Sequence, residues 1–312
     1  MKLISIPIYF LFCCNAFSQD LVHQNNIIYG KAANWRSQTD DLKLDLIYPP
    51  QAKKLPLIVF MHGGTFLNGS KEHLTKFCEQ IAKKGFAVAN LEYRQGFDQS
   101  PVNFESGIRQ AAYRAQQDEA AATRYLVHHV ADYPIDTSLI FIGGESAGGV
   151  TSLLLAYVNQ NEWDFLAAPI HPLLGAIDNS DNELNDHYSI KGIISLWGGI
   201  MDTSLISQQE MQIPVILFHS INDQVIPYER SSHPEARFQT VHGSLDIAHH
   251  FKNNNACYNL YFIKGAKHAF GFSPNYIADA VSDFIKNVSE GKCKSNETEN
   301  KTGDVSKGLW DY

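Results

Sequence analysis

The chain has 312 residues, 44% of them hydrophobic, with 33 acidic against 25 basic side chains and a formal net charge of −8. That length and apolar content suit a globular α/β fold with a sizeable core. The acidic balance argues against nonspecific nucleic-acid binding, which needs a basic face to release counterions.

The first segment reads as a targeting signal rather than as fold. Lys2 is followed by an apolar run through Phe12 and by Ala16-Phe17-Ser18, a small-x-small pattern. One positive charge, a short apolar run and that closing pattern describe a secretory signal peptide over residues 1–18, cleaved near Ser18 or Gln19. The run is short for a membrane span. A lipid anchor through Cys13 or Cys14 fits poorly, because bulky residues precede each cysteine. No later segment is long and apolar enough to span a bilayer, so the expected location is secreted or periplasmic.

From residue 19 the pattern predicts one domain ending near residue 293. Residues 42–48 alternate apolar and polar, as a half-buried strand does, and Pro49-Pro50 stops it. Residues 57–61 are continuously apolar, the mark of a strand covered on both faces. A helix over 71–84 ends at Gly85, and 86–91 is a second buried strand. Residues 116–130, with Ala120-Ala121-Ala122, suit a helix. Residues 139–142 form a short strand closed by Gly143-Gly144, and a helix follows from Ser146 to about Asn159. Residues 161–190 are irregular and read as an insertion over one end of the sheet. Strands at 192–197, 215–219 and 258–263 and a helix over 275–288 complete the series. Such alternation implies a mostly parallel sheet with helices on both faces. The polar tail 294–312 is expected to be disordered.

Four segments carry chemistry. Gly143-Gly144-Glu145-Ser146-Ala147-Gly148-Gly149 contains a serine flanked by glycines at a strand-to-helix turn, the pattern of a nucleophile elbow. The strand before and the helix after pass so close that side chains at Gly144 and Gly148 would clash. The turn lifts the Ser146 hydroxyl and puts the Ala147 amide at a helix N-terminus, where partial positive charge favours an oxyanion. His62-Gly63-Gly64-Thr65 follows the 57–61 strand and can present further amides, Gly64 and Thr65 being favoured; His62 is read as bracing the loop. Asp223 and His268 each follow a buried strand, where open α/β sheets build their sites. Their chain order, Ser146, Asp223, His268, is that of a Ser-Asp-His triad.

With these motifs the chain resembles the α/β-hydrolase superfamily, in its carboxylesterase and hormone-sensitive-lipase-like branch, over roughly residues 40–290. His62-Gly63-Gly64, Gly144-Glu145-Ser146-Ala147-Gly148-Gly149, Asn222-Asp223-Gln224-Val225-Ile226-Pro227 and Lys267-His268-Ala269-Phe270 carry the likeness. One departure stands at Thr65, where lipase-like members usually have a third glycine. The resemblance implies ester hydrolysis without cofactor or metal, on a small-molecule or polymer-borne ester. Ser146 would act as nucleophile, His268 as base, Asp223 as its partner, and Gly64, Thr65 and Ala147 as oxyanion donors. A carbohydrate acetyl or feruloyl esterase is a narrower form of the same reading. A serine peptidase usually brings a propeller or a large cap, which this chain lacks. A non-catalytic binding module would normally have lost the serine or the histidine.

Other candidates weigh less. Asp202 follows the 192–197 strand, where some hydrolases keep their acid. The acidic run 178–186 does not match the twelve-residue calcium loop. His128-His129 and His249-His250 are adjacent pairs that point apart on a helix. Trp163, Phe97 and Phe104 are candidates for pocket lining or for ordinary packing. Cys257 starts one strand at the bottom of the sheet, and the last helix runs back down to Cys293, so these two are expected to form a disulfide, leaving Cys78 free.

Overall fold

The computed structural model describes residues 20–167, 169–178, 182–230 and 241–311. The segment 1–18, expected to be a signal peptide, lies outside the described residues. Among the described residues nine strands form one sheet: β1 (Val22–Ala33), β2 (Thr39–Tyr48), β3 (Leu55–Met61), β4 (Ala87–Leu91), β5 (Ile135–Glu145), β6 (Ile190–Leu196), β7 (Val215–Ser220), β8 (Tyr258–Ile263) and β9 (Asn296–Glu299). Their spatial order is β1-β2-β4-β3-β5-β6-β7-β8-β9, antiparallel at β1–β2 and β2–β4 and parallel thereafter. The helices are α1 (Thr75–Ala82), α2 (Phe104–His128), α3 (Ala147–Tyr157), α4 (Gln160–Leu166), α5 (Ile170–Leu174), α6 (Ser244–Asn253) and α7 (Pro274–Ser289).

The apolar run in β3 serves both faces because side chains alternate along a strand. Leu57, Val59 and Met61 join the core beneath α2, α3 and α6. Ile58 and Phe60 join the other core, with Phe77 of α1 and Val281 of α7. The parallel register then collects the carboxyl ends of the central strands. Met61 pairs with Gly144, Glu145 with Leu196, and Ser220 with Ile263. The loops that begin at His62, Ser146, Ile221 and Lys264 therefore leave the sheet side by side.

Three differences from the sequence reading have physical causes. Helix α2 begins at Phe104, not near 116. Gly107 looks like a breaker, but a Cβ there would lie 2.9 Å from the Phe97 ring, so glycine is the residue that lets the helix pack. Residues 161–174 hold two short helices where irregular chain was expected. The tail expected to be disordered after 293 instead adds β9 in parallel beside β8. Its polar composition hides this because an edge strand is held by backbone hydrogen bonds and needs no apolar side chain of its own. Surface pairs reinforce it: Lys252–Glu297 at 3.0 Å and Lys264–Glu299 at 3.2 Å.

At the amino end of the sheet Cys257 and Cys293 form a disulfide with a Cα–Cα distance of 6.1 Å. It ties the chain after α7 to the start of β8, while Cys78 is free and buried. The bond closes a loop with a sequence separation of 36, which in the chain-entropy account stabilises the fold by about 3–4 kcal/mol. Replacing both cysteines by alanine is expected to lower the melting temperature by roughly 5–10 °C in thermal unfolding. An unchanged melting temperature would show that this bridge constrains nothing.

Candidate active site

The elbow at Ser146 starts from a steric requirement. Ser146 has φ 53° and ψ −115°, a conformation that costs a side-chain-bearing residue about 1–3 kcal/mol. The turn is tolerated because its neighbours have no Cβ. One at Gly144 would stand 2.3 Å from the Gly148 carbonyl carbon, and one at Gly148 would stand 2.4 Å from the Met61 carbonyl oxygen. The Ser146 amide donates to the Leu196 carbonyl at 2.8 Å, which pins the strained residue to β6.

Ser146, His268 and Asp223 come together from β5, β8 and β7. Nε2 of His268 lies 2.8 Å from Oγ of Ser146, and Nδ1 lies 2.6 Å from Oδ2 of Asp223. With the Nδ1 proton donated to Asp223, Nε2 accepts from the serine hydroxyl. Oδ1 of Asp223 accepts from the Val225 and Ile226 amides at 2.8 and 3.0 Å. Its Oδ2 also meets Nε2 of His219 at 3.3 Å. Burial raises the Asp223 pKa, but the hydrogen bonds from His219 and His268 outweigh it and hold the carboxyl well below the usual carboxylate range. Asp223 thus stays anionic beside His268.

Sequence reasoning gave His219 no role, since it closes an apolar strand. Its imidazole is fully buried, with Nδ1 2.7 Å from Oγ of Ser244 and Nε2 3.0 Å from the Ile226 carbonyl. One signal was available: a histidine four residues before the acid, at the end of a buried strand. Asp202 lies elsewhere. It caps the short 3-10 turn at 203–205 through the Ser204 amide at 2.8 Å and lines the cleft wall.

Glu145 is the second residue the motif reading passed over. It is buried, its Oε1 is 4.0 Å from Nε2 of His268, and the Gly63 amide donates to its carboxylate. A Cβ on Gly63 would stand 2.0 Å from Oε2 of Glu145 and 2.9 Å from Cβ of Ser146, so the loop after β3 fits against the elbow only as glycine. Burial pushes the Glu145 pKa up to about 7, against the pull of His268, His62 and the Gly63 amide; Asp223 adds to the rise.

The same loop continues through Gly64, Thr65 and Phe66, all at positive φ (120°, 59° and 60°). Leu67 and Asn68 donate back to the Gly64 carbonyl, closing a tight turn. His62 stacks on Tyr93 at 4.5 Å, with Nδ1 2.6 Å from the Gly63 carbonyl and Nε2 3.2 Å from Glu92. These contacts fix the loop from behind. The Gly63 amide is engaged by Glu145, while Thr65 and Ala147 line the cleft beside Ser146.

Above Ser146 opens a cleft of about 440 Å³. Phe104, Ile108, Leu154 and Trp163 give it an apolar wall, and Arg109 and Asp202 add charge. Trp163 is fixed by donating to Gln116 at 2.7 Å. Phe97 does not reach the cleft; it packs edge-on behind Phe104 at 5.5 Å. Among the described residues no group of three His, Cys, Asp or Glu side chains is arranged to hold a metal ion. Asp186, at the end of the acidic run, pairs with His128 at 2.9 Å; residues 179–181 lie outside the described residues.

Glu145 supplies a stability test with a definite sign. Its folded pKa, about 7, lies above the ordinary 4.5. The protonated buried form is therefore favoured at low pH, and its contribution is lost as pH rises through the folded value. The melting temperature of wild type relative to Glu145→Gln is expected to fall by several degrees between about pH 5 and pH 8. A difference that stays constant over that range would contradict the buried-carboxyl assignment.

The BD-FAE family model matches residues 44–213, more than half of the chain. Among curated relatives, Gut esterase 1 of Caenorhabditis elegans is 32% identical over 123 residues, 37% of this chain and 20% of that protein. A probable isoprenylcysteine alpha-carbonyl methylesterase, ICMEL1 of Arabidopsis thaliana, is 23% identical over 235 residues, 67% of this chain and 45% of that protein. The chain thus spans between a fifth and just under half of these relatives' lengths. Among solved structures, a truncated carbohydrate esterase from gut microbiota superposes with TM-score 0.59 at 19% identity, covering 86% of this chain and 96% of that one. Esterase Est2 of Thermogutta terrifontis gives TM-score 0.59 at 20% identity, over 87% and 96%. The chain belongs to the BD-FAE family, within the carboxylesterase and hormone-sensitive-lipase-like branch of the α/β-hydrolases.

Proposed function

We propose that the protein is an exported serine esterase that works through Ser146, His268 and Asp223. The observation that carries this reading is the continuous hydrogen-bonded chain from the Ser146 hydroxyl through His268 to Asp223, at 2.8 and 2.6 Å, at the base of the cleft. Oγ of Ser146 attacks the ester carbonyl carbon while Nε2 of His268 takes its proton. The negative charge that develops on the carbonyl oxygen is met by the Ala147 amide, at the start of α3, and by the Gly64 and Thr65 amides. Collapse breaks the ester C–O bond, and the imidazolium gives its proton to the departing alcohol. Water then attacks the acyl-enzyme, His268 again takes a proton, and the acid leaves with Ser146 restored. Asp223 holds the Nδ1–H tautomer and stabilises the transient imidazolium.

The relatives' names support ester chemistry, and a Thermogutta terrifontis esterase 2 phosphorylated by paraoxon supports a nucleophilic serine in this fold. Export rests on the signal-like residues 1–18 and is consistent with the Cys257–Cys293 bond. Among the described residues no helix is long and apolar enough to cross a membrane. The apolar wall around Trp163 favours an ester with an apolar group beside the scissile bond. A second reading, an ester carried on carbohydrate, is favoured by the likeness to the gut-microbiota carbohydrate esterase. A panel of p-nitrophenyl esters set against acetylated and feruloylated sugars separates the two.

Wild-type protein is expected to hydrolyse p-nitrophenyl acetate and Ser146→Ala to lose that activity. Asp223→Asn should lower kcat about 10⁴-fold, while Asp202→Asn stays near wild type; the reverse pattern would move the acid to Asp202.

A further inference from the structure

The loop that carries His268 is not held by the sheet alone. Ala269, the next residue, has φ 62°, and Gly271 has φ 92°, so the histidine sits at the start of a left-handed turn. For alanine this backbone is unfavourable and needs outside support. From within the sheet, Oγ of Ser220 donates to the Phe270 carbonyl at 3.0 Å, and the Gly265 amide donates to Asn222 at 2.8 Å. The Phe270 amide closes the turn on the Lys267 carbonyl at 3.2 Å, and His268 itself is held by Asp223 at 2.6 Å; further fastening comes from the segment 300–311.

Because β9 runs parallel to β8, the chain leaves it at the carboxyl edge of the sheet, beside His268. The Asn300 amide donates to the Phe262 carbonyl at 2.8 Å, and its side chain donates to the Gly271 carbonyl at 3.1 Å. Gly303 then passes so near that a Cβ there would stand 1.9 Å from the Gly271 oxygen and 2.6 Å from Cδ1 of Ile263. Farther on, the Gly271 amide donates to the Lys307 carbonyl and the Leu309 amide donates to the Ala269 carbonyl, each at 3.0 Å. Phe270 and Gly308 form an antiparallel bridge between these two bonds. Leu309 is buried in the same core as Ala266, Ala269 and Phe272, which anchors the segment by its side chain as well.

We propose that residues 300–311 are a positioning strap for His268: by pairing with Ala269–Gly271 they hold the left-handed turn that aims the imidazole at Ser146. The strap touches neither Ser146 nor the cleft, so it acts through the histidine loop. This rests on the esterase reading, since it assigns the strap to the step in which His268 takes the Ser146 proton. Misplacing that base by a fraction of the serine–histidine distance lowers the rate of chemistry and leaves ester binding in the cleft untouched.

The test uses the full chain with Leu309→Ala and Gly303→Ala, and with Val130→Ser, at a half-exposed residue outside the strap, as control. Active sites are titrated to completion with an organophosphate, so that kcat refers to folded, competent protein. Both strap variants are expected to lose about 10- to 100-fold in kcat with KM within about twofold. They should phosphorylate more slowly to the same endpoint, and Val130→Ser should match wild type. Gly303→Ala, the smaller change, decides the matter alone if Leu309→Ala does not yield folded protein. Wild-type kcat per titrated site in the strap variants, with only the melting temperature lowered, would overturn the proposal and reduce the strap to a stabilising element. Absence of hydrolysis by the wild-type protein would overturn the esterase reading, and this proposal with it.

Discussion

The backbone at Ser146 can turn at φ 53° only because Gly144 and Gly148 let the end of β5 and the start of α3 approach to contact distance. The rest of the site is arranged around that constraint. The close approach sets the Ser146 hydroxyl above the sheet edge and frees the Ala147 amide at the head of α3. It also leaves Glu145 nowhere to go but inward, against Gly63. The loop after β3 is thereby locked to the elbow, and a glycine is demanded a second time. A single strained residue thus fixes both its own hydroxyl and the Ala147 amide that follows it.

Electrostatics divides the acidic groups around His268 by environment. Asp223 and Glu145 are both buried carboxyls near one imidazole, yet they are pushed in opposite directions. Asp223 accepts hydrogen bonds on both oxygens from two amides and two histidines, which favours the anion more than burial disfavours it. Glu145 has one backbone donor and no histidine in hydrogen-bond contact, so desolvation wins. The separation suits the proposed chemistry, which needs one permanent anion to orient His268 and is best served when the second carboxyl does not compete for that role.

Much of this architecture can be read from residue patterns. Strands β3, β7 and β8 announce themselves as mostly apolar runs because a central parallel strand is covered on both faces, and the loops after them carry the polar residues that meet. The glycines at 144 and 148 are legible because a steric demand leaves a fixed spacing. What escaped was held by relations that leave no local trace. Only its spacing, four residues before the acid, hints that His219 reaches Asp223, since that contact depends on how the loop after β7 folds back. The Glu145–Gly63 contact joins two motifs through a register that only the assembled sheet supplies. The segment after Cys293 was misread because its order comes from backbone pairing with β8 and with Ala269–Gly271. Only the apolar pair Leu309-Trp310, late in a mostly polar stretch, hints at an anchor.

The central claim is that Ser146 is the nucleophile made competent by His268. It is tested most directly by exposing the folded protein to paraoxon and locating the covalent adduct by peptide mass spectrometry. The account predicts a single diethylphosphoryl group on Ser146, with ester hydrolysis lost in proportion to labelling and no adduct when His268 is replaced by alanine. Labelling at another residue, or full hydrolysis by protein whose Ser146 is quantitatively blocked, would contradict it.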